Sequence, residues 1–490
     1  MKKNSIYILF LTALILFGSC KKLTENLNTD PNRPTDAPAD LLLNGTEVAS
    51  IVIYEGNLAR VGGIFANSFT GATNQYTLLN SYISTAPDYD DSWNGLYATV
   101  IAQAMVGEKK SAAVNNKLMV GIFQVLQAQG FGFAADVWGD VPFSQVGQET
   151  TYATPKFDAQ ADVYAGVQTL LDNAITNLSS GVGSSPSTKD FYYGGSAAKW
   201  EEAAYTLKAR FYLHTKNYTA AATAAQKGIS SAADNMMAPH GTTYLTDFNL
   251  YYSFLTYDRS GYMNAADAAA PTYIDPSSDL YKGNAKTDET GRYNYLYQVG
   301  LNTNDLDPNV LVSFDWGNDP SLDGFFGAST PFPLVTYAEN NLILAEALLK
   351  GADNTGGALA ALNVHRAYMN TGGYLNSGYV ALGAKYEPYV VTDFAPGGIA
   401  NAATSGQSVS QALLREILLE RYITFIGQVE QFNDVRRTKN YLGIKLKTTT
   451  ATKMPQRFLY PQAEINTNPN TPILGATDLF KETPANTTAY

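Results

Sequence analysis

One cysteine in 490 residues, Cys20, leaves no partner for an intrachain disulfide, so the fold has to rest on packing and hydrogen bonding. Three histidines (His214, His240 and His365) stand far apart, and with one thiol the chain encodes no zinc site of the usual Cys/His composition. It also lacks an H-E-x-x-H helix, a Walker loop and a G-x-S-x-G elbow. Basic residues are outnumbered, 33 Lys plus Arg against 44 Asp plus Glu, and no basic block occurs. The electrostatic footprint of a nucleic-acid binder is missing, and nucleic acid is not expected as a partner. After Cys20 no run is expected to approach the roughly 20 apolar residues of a membrane helix. With 45% apolar and 16% charged residues, the chain reads as globular.

What is present begins at the N-terminus. Lys2 and Lys3 form a basic region, Ile6 to Phe17 a short apolar run, and Gly18-Ser19 supply small residues before Cys20. This reads as a lipoprotein processing site. Residues 1–19 would be a signal peptide and Cys20 the lipidated first residue, carrying palmitate-type acyl chains as the only membrane attachment; the alternative is an ordinary secretory signal ending near a cysteine. Residues 20–40, with Asn28-Thr29-Asp30-Pro31-Asn32-Arg33-Pro34-Thr35, read as a turn-rich tether, and 41–490 as a single domain.

Helical spacing of apolar residues predicts helices over Leu41 to Phe69, Trp93 to Val106 and Lys117 to Phe133, the last stopped by Gly139 and Pro142. From Asp158 to Leu178, Val163, Val167, Leu170, Leu171, Ala174 and Leu178 fall on one stripe, with Asp158 placed to cap. Three helical hairpins follow, over Ala198 to Ser231, Tyr337 to Tyr368, and Ser408 to Arg436. The first has tetratricopeptide-like spacing, and Ser408 and Gln411 have capping-box spacing in the third. Units of this kind stack, because none buries its stripe alone. The expected fold is therefore mainly α: a scaffold of tetratricopeptide-like hairpins.

Residues 236–335 carry no sustained helical period and are rich in Tyr, Asp, Asn, Gly and Pro, which predicts an ordered, irregular, loop-rich lobe on that scaffold. Its chemistry is one of flat side chains. Aromatic faces stack on sugar rings or peptide side chains, with Asn, Asp and Arg as orienting groups. Gly130-Phe131-Gly132-Phe133-Ala134-Ala135 imitates a dinucleotide fingerprint but ends a helix instead of opening one. Asp88, Asp90 and Asp91 lack the glycine and distal glutamate of a calcium loop and read as a solvated acidic turn. No metal, cofactor or catalytic residue is assigned.

Several motifs in fixed order resemble the SusD/RagB family of surface lipoproteins. They are the Cys20 signal with Asn28-Thr29-Asp30-Pro31-Asn32, Trp138-Gly139-Asp140-Val141-Pro142, Leu344-Ala345-Glu346-Ala347, Leu419-Glu420-Arg421, Phe432-Asn433-Asp434-Val435-Arg436-Arg437, and Tyr460-Pro461-Gln462-Ala463-Glu464-Ile465-Asn466. The resemblance implies a helical fold with four tetratricopeptide-like units, anchored to the outer face of the outer membrane. It further implies a non-enzymatic lid that captures an oligosaccharide or peptide and delivers it to a TonB-dependent, SusC-like barrel transporter. By position, Tyr76, Tyr82, Tyr89, Tyr295 and Trp316 are the candidate ligand contacts. A surface glycoside hydrolase or peptidase, and a structural repeat adaptor, are the competing readings.

Overall fold

The structure, a computed structural model, describes residues 37–244, 246–300, 305–312, 320–401, 406–448 and 451–490. Cys20 and Trp316 lie outside the described residues, as do residues 1–19, read as a signal peptide, and most of the expected tether.

The first predicted helix is two: α1, Ala39–Glu55, and α2, Asn57–Phe65. Gly56 divides them at ψ −138°, and a Cβ there would stand 2.0 Å from the Val52 carbonyl oxygen, so the break needs glycine. The second is divided as well, into a short helix Asp90–Asn94, a π-helical stretch Gly95–Ile101, and α3, Ala102–Ala113. Helix α4, Lys117–Trp138, runs past Phe133 to Gly139, whose φ of 88° ends it. By length and composition alone α4 is apolar enough to cross a membrane, contrary to expectation. Nearly every residue of it is buried within the protein, and a helix surrounded by others needs no polar face.

Helix α5, Gln160–Leu178, buries Val163, Val167, Leu171, Ala174 and Leu178 as the stripe predicts. Asp158 does not cap it. Its carboxylate accepts hydrogen bonds from the Phe143 and Ser144 amides (3.0 and 2.7 Å), and Asp140 Oδ1 instead takes the Gln160 amide at 2.8 Å. The later hairpins are α6, Ala197–His214, with α7, Tyr218–Ala225; α8, Tyr337–Ala352, with α9, Thr355–Met369; and α10, Val409–Thr424, with α11, Val429–Arg437. The Ser408/Gln411 capping box forms, at 3.3 and 3.0 Å. Helix α4 pairs with α5, α5 packs on α6, α7 on α8 and α8 on α10, while α11 closes against α2. The mainly α, hairpin-built fold is thus observed.

Charge is buried between the hairpins. Arg437 grips Glu346 with two hydrogen bonds (2.5 and 2.6 Å), Arg421 grips Asp434 (2.8 and 3.0 Å), and Arg210 grips Glu339 (2.5 and 2.6 Å). Such pairs add little over apolar packing, yet removing one partner costs about 3–5 kcal/mol. They therefore fix which helix faces which.

The lobe is built on short antiparallel pairs. Strand β1, Thr70–Gly71, pairs with β3, Met263–Asn264; β2, Met236–Ala238, pairs with β6, Phe332–Val335; and β4, Tyr297–Val299, pairs with β5, Leu306–Pro308. The β2–β6 ladder joins the two ends of the lobe.

Candidate functional site

The β1–β3 and β4–β5 pairs meet around a cavity of ≈ 650 Å³. A hydrogen bond from the Ala265 amide to the Leu306 carbonyl (2.7 Å) links the two pairs, and one from the Ala72 amide to the Tyr262 carbonyl (2.8 Å) extends the first. Thr70, Asn264, Asp267, Asp305 and Asp307 bring polar groups to its wall, and Leu255, Met263 and Val310 bring apolar ones. Gly71 is required beside it, because a Cβ there would fall 1.8 Å from the Tyr76 carbonyl oxygen. Thr70 Oγ1 donates to the Ala266 carbonyl and accepts from Lys447 Nζ at 2.6 Å. Burial pulls the Lys447 amine down to about 7, with Asp267 opposing the change. Partial burial, reinforced by the neighbouring Asp305 charge, pushes the Asp307 carboxyl up to about 6.

Beside this cavity lies an aromatic cluster of Phe248, Tyr252, Tyr244 and Tyr257. Tyr257 stacks on Phe248 with centroids 5.9 Å apart, and Tyr244 meets Tyr257 edge-on at 5.2 Å. Phe248 and Tyr252 are buried with Val312 and Ala328, and Val310 links this group to the cavity wall. Tyr244 and Tyr257 are 61% and 44% exposed, unusual for rings inside an aromatic cluster. The π-helical segment Phe254–Asp258 makes the connection, with Leu255 in the cavity wall and Tyr257 in the cluster. Chemically, the site offers exposed aromatic rings beside acceptors for hydroxyl or ammonium donors.

Four of the predicted contacts face inward. Tyr89 is fully buried, stacked on Phe458 at 5.0 Å, and its hydroxyl accepts from Ser84 at 2.9 Å. Tyr82, buried beside Phe65, accepts the Lys447 amide at 3.0 Å. Tyr76 packs on Phe254 and accepts from Arg60 Nε at 3.3 Å, forming wall and not rim. Tyr295 packs between Phe325 and Tyr379 at the edge of a separate cavity of ≈ 180 Å³. An aromatic in an irregular stretch can be floor or rim with equal ease, and at these four positions the structure places floor or wall. Tyr244, Phe248 and Tyr252 repeat at four-residue spacing, a signal that marks the cluster but not which ring is exposed.

Deeper in the scaffold, donor atoms of Asp136, His214 and Glu430 lie within 4.8 Å of one another. Both ring nitrogens face carboxylates, Nδ1 at 2.7 Å from Asp136 and Nε2 at 3.1 Å from Glu430. Burial alone would lower the imidazole pKa, but Asp136 and then Glu430 outweigh it and raise it to about 9. The two carboxylates thus favour the protonated ring, and Arg210, 3.8 Å from Glu430, adds further positive charge. The trio is an ion cluster of the scaffold.

A helical-repeat scaffold carrying an irregular lobe, with a polar cavity edged by exposed aromatic rings, defines a ligand-binding protein. The chain belongs to the SusD-like family, whose sequence model, described as starch-binding and associating with the outer membrane, matches residues 31–461. A SusD-like protein from Bacteroides thetaiotaomicron is similar in fold at 19% identity and TM-score 0.65, with 92% of this chain and 97% of that one covered. A SusD/RagB family protein from the same organism matches at 20% identity and TM-score 0.62, covering 91% and 97%. A chitin-binding SusD homolog from Flavobacterium johnsoniae matches at 17% identity and TM-score 0.60, covering 88% and 92%. No curated protein is significantly similar to the chain.

Proposed function

We propose that the protein is a lipid-anchored, surface-exposed lid that captures an oligosaccharide at the Tyr244/Tyr257 platform and its adjoining cavity. It then delivers the ligand to a TonB-dependent, SusC-like barrel transporter. The observation that carries this reading is the pair of exposed tyrosine rings, Tyr244 and Tyr257, beside a polar cavity. A pyranose stacks on such a ring, and its hydroxyls reach the acceptors of Asp267, Asp307 and Asn264. Membership of the SusD-like family and the likeness to a chitin-binding homolog support an oligosaccharide over a peptide here. Release and handover require no bond breaking, so the protein is a binder and not a hydrolase.

Titration of the purified protein with starch and chitin oligosaccharides tests the proposal. Tyr257→Ala should weaken binding of whichever oligosaccharide is bound by about tenfold, a stacked aromatic being worth about 1 kcal/mol or more. The melting temperature should fall only slightly, because Tyr257 lies at the edge of its aromatic cluster, 44% exposed. Unchanged affinity would remove the platform from the site, and oligosaccharide turnover abolished by Asp307→Asn would replace binding with hydrolysis.

A further inference from the structure

A second cavity, ≈ 500 Å³, lies on the other side of the Phe254–Asp258 segment. Two π-helical stretches contribute to it, Gly95 and Thr99 from one, Phe254 and Asp258 from the other. Such stretches are rare and occur mostly at functional sites. Arg60 reaches this cavity half-buried, its guanidinium 4.2 Å from the centre of the Phe254 ring and its Nε donating to Tyr76 Oη at 3.3 Å. The side chain is thus held in place from two sides. Among the described residues the guanidinium enters no ion pair, unlike the paired Arg210, Arg421 and Arg437. Asn57, which opens α2, is also in the wall, and first-turn N–H groups of a helix add partial positive charge.

The same wall carries two exposed carboxylates, Asp91 and Asp258, and an apolar shelf of Val52, Ile53 and Phe254. A purely anionic ligand would meet repulsion from the acids, and a purely cationic one would meet Arg60. We infer that this second cavity binds a small zwitterionic ligand of amino-acid type, its carboxylate on Arg60, its ammonium group against Asp258 and Asp91, and its apolar side chain on the shelf. A guanidinium held over an aromatic ring, with Nε engaged and its terminal nitrogens open, suits a carboxylate. The site is separate from the oligosaccharide platform, and its test uses a different probe, so either can fail alone.

The full-length protein, purified in detergent, is titrated with the dipeptide Leu-Leu, its N-acetylated amide and glucuronic acid. Leu-Leu should bind, and the doubly blocked form should not. Arg60→Gln should weaken Leu-Leu by about tenfold or more, the usual loss for a charged hydrogen-bond pair. Because Arg60 also braces Tyr76, the rim variant Asp258→Asn gives a second measure on an exposed side chain. It should weaken Leu-Leu severalfold while leaving thermal unfolding unchanged. The inference is overturned if Leu-Leu does not bind, if both variants bind it as the parent does, or if glucuronic acid binds as tightly as Leu-Leu.

Discussion

His214 shows how the interior handles charge. Its ring bridges Asp136 and Glu430 within a fully buried cluster, and the two carboxylates hold its pKa near 9 against the opposing effect of burial. An unfolded histidine titrates near 6.5. Stability contributed by the protonated ring is therefore fully present below pH 6.5 and is lost as pH rises through about 9. At about 1.4 kcal/mol per pKa unit, the loss amounts to about 3 kcal/mol. Denaturant unfolding of the parent and of His214→Gln across this interval should show the stability difference shrinking with pH. Lys447 and Lys216, held low at about 7 and about 8, give a slope of opposite sign that cancels in the difference. A pH-independent difference would mean that the ring is neutral when folded. The residues that carry the family resemblance behave similarly. Glu346, Arg421, Asp434 and Arg437 are one buried ion network, so those motifs report helix register and not ligand contact.

Among the elements, stripe, cap and hairpin were legible because each is a local rule. The α5 stripe and the Ser408/Gln411 box follow from side-chain spacing alone. The π-helical stretches were not legible, since one inserted residue leaves the apolar pattern of Trp93 to Val106 nearly intact. Nor was the cap of α5, because Asp140 lies 20 residues before Gln160 and only the fold brings it there, while Asp158, the acid that local spacing offers, holds the Phe143–Ser144 turn. Packing gives glycines opposite roles in two helices. A Cβ on Gly132 in α4 would stand 2.2 Å from the ring of buried Phe211, whereas one on exposed Gly45 in α1 meets nothing within 4 Å. Gly45→Ala should stabilise by up to about 1 kcal/mol through helix propensity alone. Gly132→Ala gains the same propensity but overpacks the α4–α6 contact, at about 1–3 kcal/mol, and should come out net destabilised. Chemical denaturation of both variants checks the pair, and equal signs would mean that α4 and α6 are less closely packed than these distances require.

For the whole molecule, the scaffold could be read from the sequence but the exposure of individual rings in the lobe could not. Burial on a helix has a period, whereas exposure of a ring in an irregular lobe depends on contacts made across the chain. Tyr244 and Tyr257 are open because Phe248 and Tyr252 sink beneath them, an outcome that no spacing encodes. The proposed attachment is again local and rests on Cys20. The segment from Cys20 to the start of α1 at Ala39 spans at most roughly 65 Å when extended, enough to hold the body at the membrane surface without inserting it. One acyl chain gives only marginal, reversible binding, so stable anchoring needs several chains or a second hold, for which the barrel transporter is the proposed source. Cys20→Ala should therefore move the protein from the membrane to the soluble fraction. Its melting temperature and oligosaccharide affinity should be unchanged, because the body begins beyond the tether and all of the platform lies in the lobe. Fractionation of cells lacking the barrel gives the clean measurement: a variant that stays with the membrane there would place the anchor somewhere other than Cys20.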